Sequence, residues 1–510
     1  MITLVVTIVT FIALYLYNTR TFKYWEKKGV KHDKPVAFFG NNKDGVLLRK
    51  SKVQITEELY NKYPDEKVVG FFRGTRPELI IRDPKLVKRV LVSDFGSFYN
   101  RGFVPNKDVI EPVLRNLFSA EGDLWKMLRI RMSPTFTSGK LKVMFPLIVE
   151  RAEKLQSRIF KLASNENSID VKELIARYAT DFIGSCGFGL DSDSLNDENS
   201  DFRKLGRKIF APGPIDAVVA VLKDMFPVLC KDLKFFYRLE AEAKELAQNI
   251  QKARNYQPIG RNDYVDMMLA IKNQGNVEIE SIEKTKPDGK PELVSIQFDD
   301  DIFMAQLMVF FAAGFETSSS SSAMTLHLLA YHPEEQAKVQ EDIDRVLVKY
   351  NNKLSFDAVK EMTYLEMAFK ESMRIFPPLG YVSRRCSKNY TFEDLGFTID
   401  EGINVMIPIQ GLHMDPKYWD NPEEYRPERF HPDNEHKDIY LPFGNGPRNC
   451  VGSRLGLMQA MTGLAAVLSK FTVKPAPESR LRPILDPKSE IAQGIVGGLP
   501  LIFYERNPRT

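Results

Sequence analysis

Cysteine is scarce in this chain. Cys186, Cys230, Cys386 and Cys450 are the only four in 510 residues, and they lie far apart with no CxxC pair and no zinc-like spacing. That usage argues against a disulfide framework and fits free thiols in a reducing compartment. Histidine is scarcer relative to chain length: six are present, none in a recognisable metal-binding or nucleophile-activating motif. Charge of one sign is lacking too, since a formal net charge of +4 over this length gives no global field to gather nucleic acid. There is no internal repeat and no long low-complexity run. The one homopolymer, Ser318 to Ser322, sits inside a helical pattern, which excludes a flexible linker there. What remains is a chain with 43% hydrophobic residues, long enough to bury a large core.

One apolar run carries no charge at all: ITLVVTIVTFIALYLY, Ile2 to Tyr17, followed by Arg20, Lys23, Trp25, Lys27 and Lys28. No basic region precedes it and no small-residue cleavage site follows, which argues against a cleaved signal peptide. The run is short against the usual span of about 20 residues. It therefore suits the thin membrane of the endoplasmic reticulum. The aromatic residues and lysines behind it suit an interfacial belt, and their positive charge predicts a cytosolic body. Residues 1–19 are expected to be a membrane anchor, 20–40 a basic and aromatic linker and hinge, and 41–510 one domain. The sequon Asn389-Tyr390-Thr391 would then face the cytosol and stay unused.

Within the body, Leu79-Ile80-Ile81 reads as strand, and from about residue 84 onward helical periods dominate. Loops are expected at Pro212-Gly213-Pro214 and along the polar stretch Glu283 to Pro291. The fold class is mainly α with small β-sheets. A long helix is predicted to start at Asp299-Asp300-Asp301, whose acidic charge suits the positive end of a helix dipole. Gln306, Gly314, Glu316 and the serines interrupt its apolar run, so it reads as a buried helix and not a second membrane span.

Near the C-terminus the chain reads FGNGPRNCVG, Phe443 to Gly452. A cysteine on such a turn has three uses: nucleophile, core thiol or metal ligand. The helical spacing after Val451 places Cys450 at a helix N-terminus, where amides and the dipole favour thiolate. No histidine motif supplies the base that a nucleophile wants. A dinucleotide loop would need glycine at Asn449. A single thiolate as axial ligand to haem iron is the best chemical fit.

These ten residues resemble the FxxGxRxCxG haem-binding loop of cytochrome P450 monooxygenases. Glu371-Ser372-Met373-Arg374 matches the family's ExxR pair, on a helix that Thr363 and Glu366 are expected to open as a capping box. Arg426-Pro427-Glu428-Arg429-Phe430 is similar to its PERF segment. The resemblance implies a P450 fold with haem b between the long helix and the cysteine-loop helix. It implies Cys450 as iron ligand, Phe443 shielding the sulfur, Gly444 and Gly446 turning amides toward it, and Gly452 allowing close approach to the porphyrin. Arg448 would reach a propionate, with Arg101, Arg384, Trp125 and Arg129 beside it, the last two at the WxxxR spacing in WKMLRIRMSPTFTSGKLK. Glu371, Arg374 and Arg429 would form a buried triad that positions the haem loop.

Ala313-Gly314-Phe315-Glu316-Thr317-Ser318 is similar to the family's oxygen-activating motif. By that resemblance Ala313 and Gly314 leave room for dioxygen, Thr317 offers its hydroxyl, and Glu316 relays protons. The chain carries no flavin or nicotinamide motif, which implies a separate NADPH–cytochrome P450 reductase, with cytochrome b5 as a further partner. Lys126, Arg129, Arg131, Lys140 and Lys142 would form part of its docking face. The stretches FKYWEKKGVKHDKPVAFFGN, SPTFTSGKLK and DIYLPFGNGPRNCVGSRLGLMQ resemble the insect microsomal branch, related to vertebrate drug-oxidising enzymes. One departure is the hinge, where Pro35 stands alone instead of in a proline cluster. The pocket is expected to use Phe103, Val104, Phe118, Val309, Phe310, Ala313, Thr317, Leu379, Gly380, Tyr381 and Ile495. That lining favours lipophilic, uncharged xenobiotics. Hormone or lipid hydroxylation in the same family is the alternative, as is a haem-thiolate isomerase or sensor without reductase-driven turnover.

Overall fold

The computed structural model describes residues 1–103, 109–163, 167–190, 192–197, 199–210, 213–226, 229–261, 263–434, 436 and 438–506. Val104 and Pro212 lie outside the described residues. Helices enclose the larger hydrophobic core, and a four-stranded sheet packs over a second one. The sheet runs β1 (Val68–Arg73), β2 (Arg76–Ile81), β4 (Asn404–Pro408), β3 (Tyr381–Arg385), with β2 and β4 parallel and the outer pairs antiparallel. Leu79, Ile80 and Ile81 are fully buried in β2, in agreement with their reading as strand.

The axis of the helical layer is α4 (Asp300–Tyr331), 32 residues long and thus about 48 Å at 1.5 Å per residue. Asp299 caps it by accepting the Ile302 amide at 2.8 Å. Most of its residues are buried, the five serines included, because α3 (Val171–Ile183) and α7 (Ser453–Lys470) press on it and leave room only for small side chains. α5 (Thr363–Ile375), which carries the ExxR pair, packs on it as well.

Several expectations are corrected here. The N-terminal helix α1 (Ile2–Thr19) forms with almost all of its side chains exposed, but one aromatic residue of the segment behind it is not free for an interfacial belt. Trp25 is fully buried, its Nε1 donating to the Phe71 carbonyl at 3.1 Å. Any side chain at Gly70 would collide with the indole, so the missing Cβ makes the slot. The 20–40 segment also touches the sheet: His32 pairs with Gly70 and Gly40 with Arg73. The Glu283–Pro291 stretch is not a plain loop. Asn276–Thr285 and Pro291–Gln297 form an antiparallel hairpin, with Val277, Ile279 and Ser281 buried and Glu278 and Glu280 exposed in strand alternation. The capping box on α5 is absent: Met362 is the N-cap, and Asp342 of a neighbouring helix accepts the Tyr364 amide at 2.8 Å. That carboxylate satisfies the orphan donors from outside, which a local motif cannot reveal.

Candidate haem and oxygen site

Gly444 and Gly446 both adopt positive φ, 69° and 72°, which makes the tight turn of the cysteine loop. A Cβ on Gly446 would sit 1.9 Å from the Leu91 carbonyl oxygen. The turn closes where the Cys450 amide donates to the Phe443 carbonyl at 2.8 Å, and Phe443 packs half-buried against the main core. Helix α7 starts at Ser453 with Gly452 as N-cap, so Cys450 precedes the helix and does not head it. Burial pushes the Cys450 thiol pKa up, opposed by the Gly452 amide, Arg101 and Arg129. The expected depression by the helix end is therefore outweighed. Cys450 nevertheless keeps open surface, although the protein around it desolvates the thiol.

Arginines converge on that loop. Arg101 donates to the Arg448 carbonyl at 2.9 Å. Arg129, from α2 (Gly122–Met132), grips Asn449 twice, at its carbonyl (2.8 Å) and its side-chain oxygen (2.6 Å). Arg448 lies 4.3 Å above the Trp125 ring and donates to the Ala120 carbonyl at 2.7 Å. Arg384, on β3, is buried, and its Nη1 donates to the Ser383 carbonyl at 2.8 Å. The Nε atoms of Arg101, Arg384 and Arg448, and Nη1 of Arg448, are buried without a hydrogen-bond partner among the described residues. Burial pushes Arg101 down to about 10 and holds Arg384 and Arg448 well below the usual arginine range, with repulsion among these arginines contributing. Uncompensated charge of this kind costs several kcal/mol or more unless an anion joins it.

The sequence model described as Cytochrome P450 matches residues 31–499. Cytochrome P450 6k1 of Blattella germanica is 36% identical, the alignment covering 98% of this chain and 97% of that one. Cytochrome P450 6B7 of Helicoverpa armigera is 34% identical over 98% and 97%, and Probable cytochrome P450 6a18 of Drosophila melanogaster 35% over 94% of each. The chain is a cytochrome P450. The family's haem, held by a cysteine thiolate, brings two propionate carboxylates. This P450's donors fit it: an accessible interior thiol stands beside buried guanidinium groups whose free N–H bonds lack an acceptor.

On α4 the motif residues separate by face. Ala313 is exposed midway along a mostly buried helix, and Val309 and Thr317, one turn to either side, are half-buried on the same stripe. Gly456 of α7 lies against Ser318, an added Cβ coming 3.6 Å from its Oγ. Thr317 Oγ donates back to the Ala313 carbonyl at 2.6 Å, a bond that competes with the helix ladder. Gly314 is not on that stripe. Its missing Cβ leaves room for Ile183 of α3, whose Cδ1 would be 2.3 Å away; the glycine serves helix packing. Glu316 also points toward α3, 3.5 Å from Lys172 Nζ, and accepts from Ser320 Oγ at 3.4 Å.

Behind the loop, Glu371 and Arg374 are fully buried and form a bidentate pair at 2.7 and 2.8 Å. Arg429 Nε approaches Glu371 Oε1 at 3.3 Å, so the three residues do meet. Glu371 Oε1 also accepts the Arg426 amide at 3.0 Å, and Arg374 reaches the carbonyls of His413 and Pro422.

The pocket candidates divide. Phe103 stacks on Phe118 at 5.2 Å, and Arg101 lies 4.4 Å over Phe118, which joins this pair to the arginine cluster. Phe310 is buried among Tyr264, Phe136 and Phe188, stacked on Tyr264 at 4.2 Å; it packs in the aromatic core. Tyr381 turns away from the arginines, its hydroxyl donating to the Glu490 carbonyl at 3.1 Å and Lys52 lying over its ring. Side chains alternate along β3, so Val382 and not Tyr381 shares the face of Arg384. The period of two in Tyr381–Arg385 was the signal that could have found it. Gly380 has no room for a side chain beside Val53, while Leu379 and Ile495 are half-buried. Of the basic face, Arg129 is turned to Asn449, and Lys142 lies 3.4 Å from Asp357.

Proposed function

We propose that this P450 inserts one oxygen atom of dioxygen into lipophilic, uncharged small molecules, plant toxins and insecticides among them, using electrons from NADPH through a separate reductase at the endoplasmic reticulum. The observation that carries the reading is the anion-seeking arginine cluster around an accessible interior thiol, in a chain of this family. Haem on a thiolate supplies the dioxygen chemistry and favours O–O cleavage. The chain supplies the rest. Cys450 would hold the iron. Arg101, Trp125, Arg129, Arg384 and Arg448 would bind the carboxylates, and the Glu371–Arg374–Arg429 triad would brace the loop. Ala313 leaves space beside the stripe, and Thr317, by swinging its hydroxyl from the Ala313 carbonyl, would present a proton there. Glu316, bound to Lys172 at the edge of α3, would pass protons inward. The apolar wall of Phe103 and Phe118 excludes water.

The test is spectroscopic, then kinetic. Reduced holoprotein with carbon monoxide should give the thiolate-type Soret band. Substrate loss should require NADPH, reductase and air together. Turnover without reductase would favour an isomerase or peroxide-using enzyme, and a Soret band without turnover would favour a sensor. Relatives named only as cytochromes P450 leave substrate to a panel with product identification. In that panel Phe118→Ala should redistribute products by several-fold while haem content stays near that of the parent. An unchanged product profile would remove Phe118 from the pocket.

A further inference from the structure

The segment leading into the cysteine loop is held by a histidine that the site described above does not use. His413 lies on α6 (Ile409–Met414) with no exposed surface. Its carbonyl accepts Arg374 Nη1 at 2.9 Å, which ties it to the buried Glu371–Arg374 pair. Its Nε2 stands 2.9 Å from the amide nitrogen of Leu441, two residues before Phe443. A backbone amide can only donate, so Nε2 carries a lone pair, the proton is on Nδ1, and the ring is neutral. Burial, reinforced by the charge of Arg374, pushes the His413 pKa down to about 3, which keeps it so. The ring also lies against Tyr440, centroids 5.2 Å apart, and the Tyr440 hydroxyl donates to the Lys370 carbonyl at 3.0 Å, one residue before Glu371. Ties to α5 and to the loop entrance thus meet at His413: its carbonyl holds Arg374, and its ring meets the Leu441 amide and Tyr440.

We infer that His413 is a positioning residue: by accepting the Leu441 amide it transmits the placement of the Glu371–Arg374 pair to the loop that carries Cys450. The inference rests on the reading of Cys450 as the iron ligand. Two variants separate the acceptor from the ring. His413→Gln can return an oxygen near the place of Nε2, whereas His413→Leu keeps bulk and removes the acceptor. A buried amide left without a partner is costly enough to loosen the loop by about tenfold.

The holoproteins are mixed with an excess of a haem-scavenging apoglobin, and hydrogen exchange is followed across 438–450. His413→Leu should lose haem about tenfold faster than the parent and exchange faster in that segment, while His413→Gln stays within about twofold. Equal haem loss and exchange in all three proteins would overturn the inference. So would equal damage in both variants, since the ring alone would then matter. If His413→Leu accumulates no holoprotein, the parent decides: a strongly protected Leu441 amide supports the tie, and exchange at the rate of an open amide sinks it. A parent without the thiolate-type Soret band would instead refute the role of Cys450, and Leu441 exchange would still report on His413.

Discussion

Cys450→Ser should yield a folded protein without the thiolate-type Soret band and with turnover at background. Serine is nearly isosteric with cysteine, and the loop's closing bond, the Cys450 amide to the Phe443 carbonyl, belongs to the backbone. Cys450 also lies outside the hydrophobic core clusters, so little packing is lost. The change removes a ligand and leaves the fold, which makes it the sharpest test of the site. Circular dichroism and haem per chain would be measured on one preparation. Preserved spectrum and turnover would mean that another side chain holds the iron.

Glu371→Ala should be more damaging to the protein itself. It strands Arg374, fully buried, and Arg429, nearly so, without their anion. Removing one partner of such a pair costs about 3–5 kcal/mol. Whole-domain stability is only roughly 5–15 kcal/mol. Little holoprotein should accumulate, and the denaturant midpoint of what remains should fall clearly. Arg429→Ala should do less, because its Nε contact is longer and its removal leaves Glu371 still bound twice by Arg374. A midpoint for Glu371→Ala equal to that of the parent would show that the pair is dispensable.

The sequence made some of this legible and hid the rest for identifiable reasons. The cysteine loop, the ExxR pair and the long helix are local: residues three, four or ten apart decide them, and the structure keeps the pair and the long helix where the pattern puts them, with Cys450 displaced to three residues before its helix. What depends on a distant partner was hidden. Trp25 reads as a membrane-interface residue until Gly70 opens a slot beneath it. Thr363 reads as a cap until Asp342 takes the amides. Gly314 reads as part of the oxygen site from the motif around it, yet a step of about 100° per residue turns it to Ile183. His413 showed no motif at all, because its three ties reach Arg374, Tyr440 and Leu441 by way of the fold.

The burial of Trp25 has a mechanical consequence. Only Arg20 to Lys23 separate α1 from the short helix Tyr24–Lys27 that delivers the indole to the sheet. Four residues span at most about 14 Å when fully stretched. With α1 seated in a bilayer, the body would ride on a short, stiff tether that sets its tilt and presents one side to the lipid. Lengthening that tether would free the orientation without touching the chemistry.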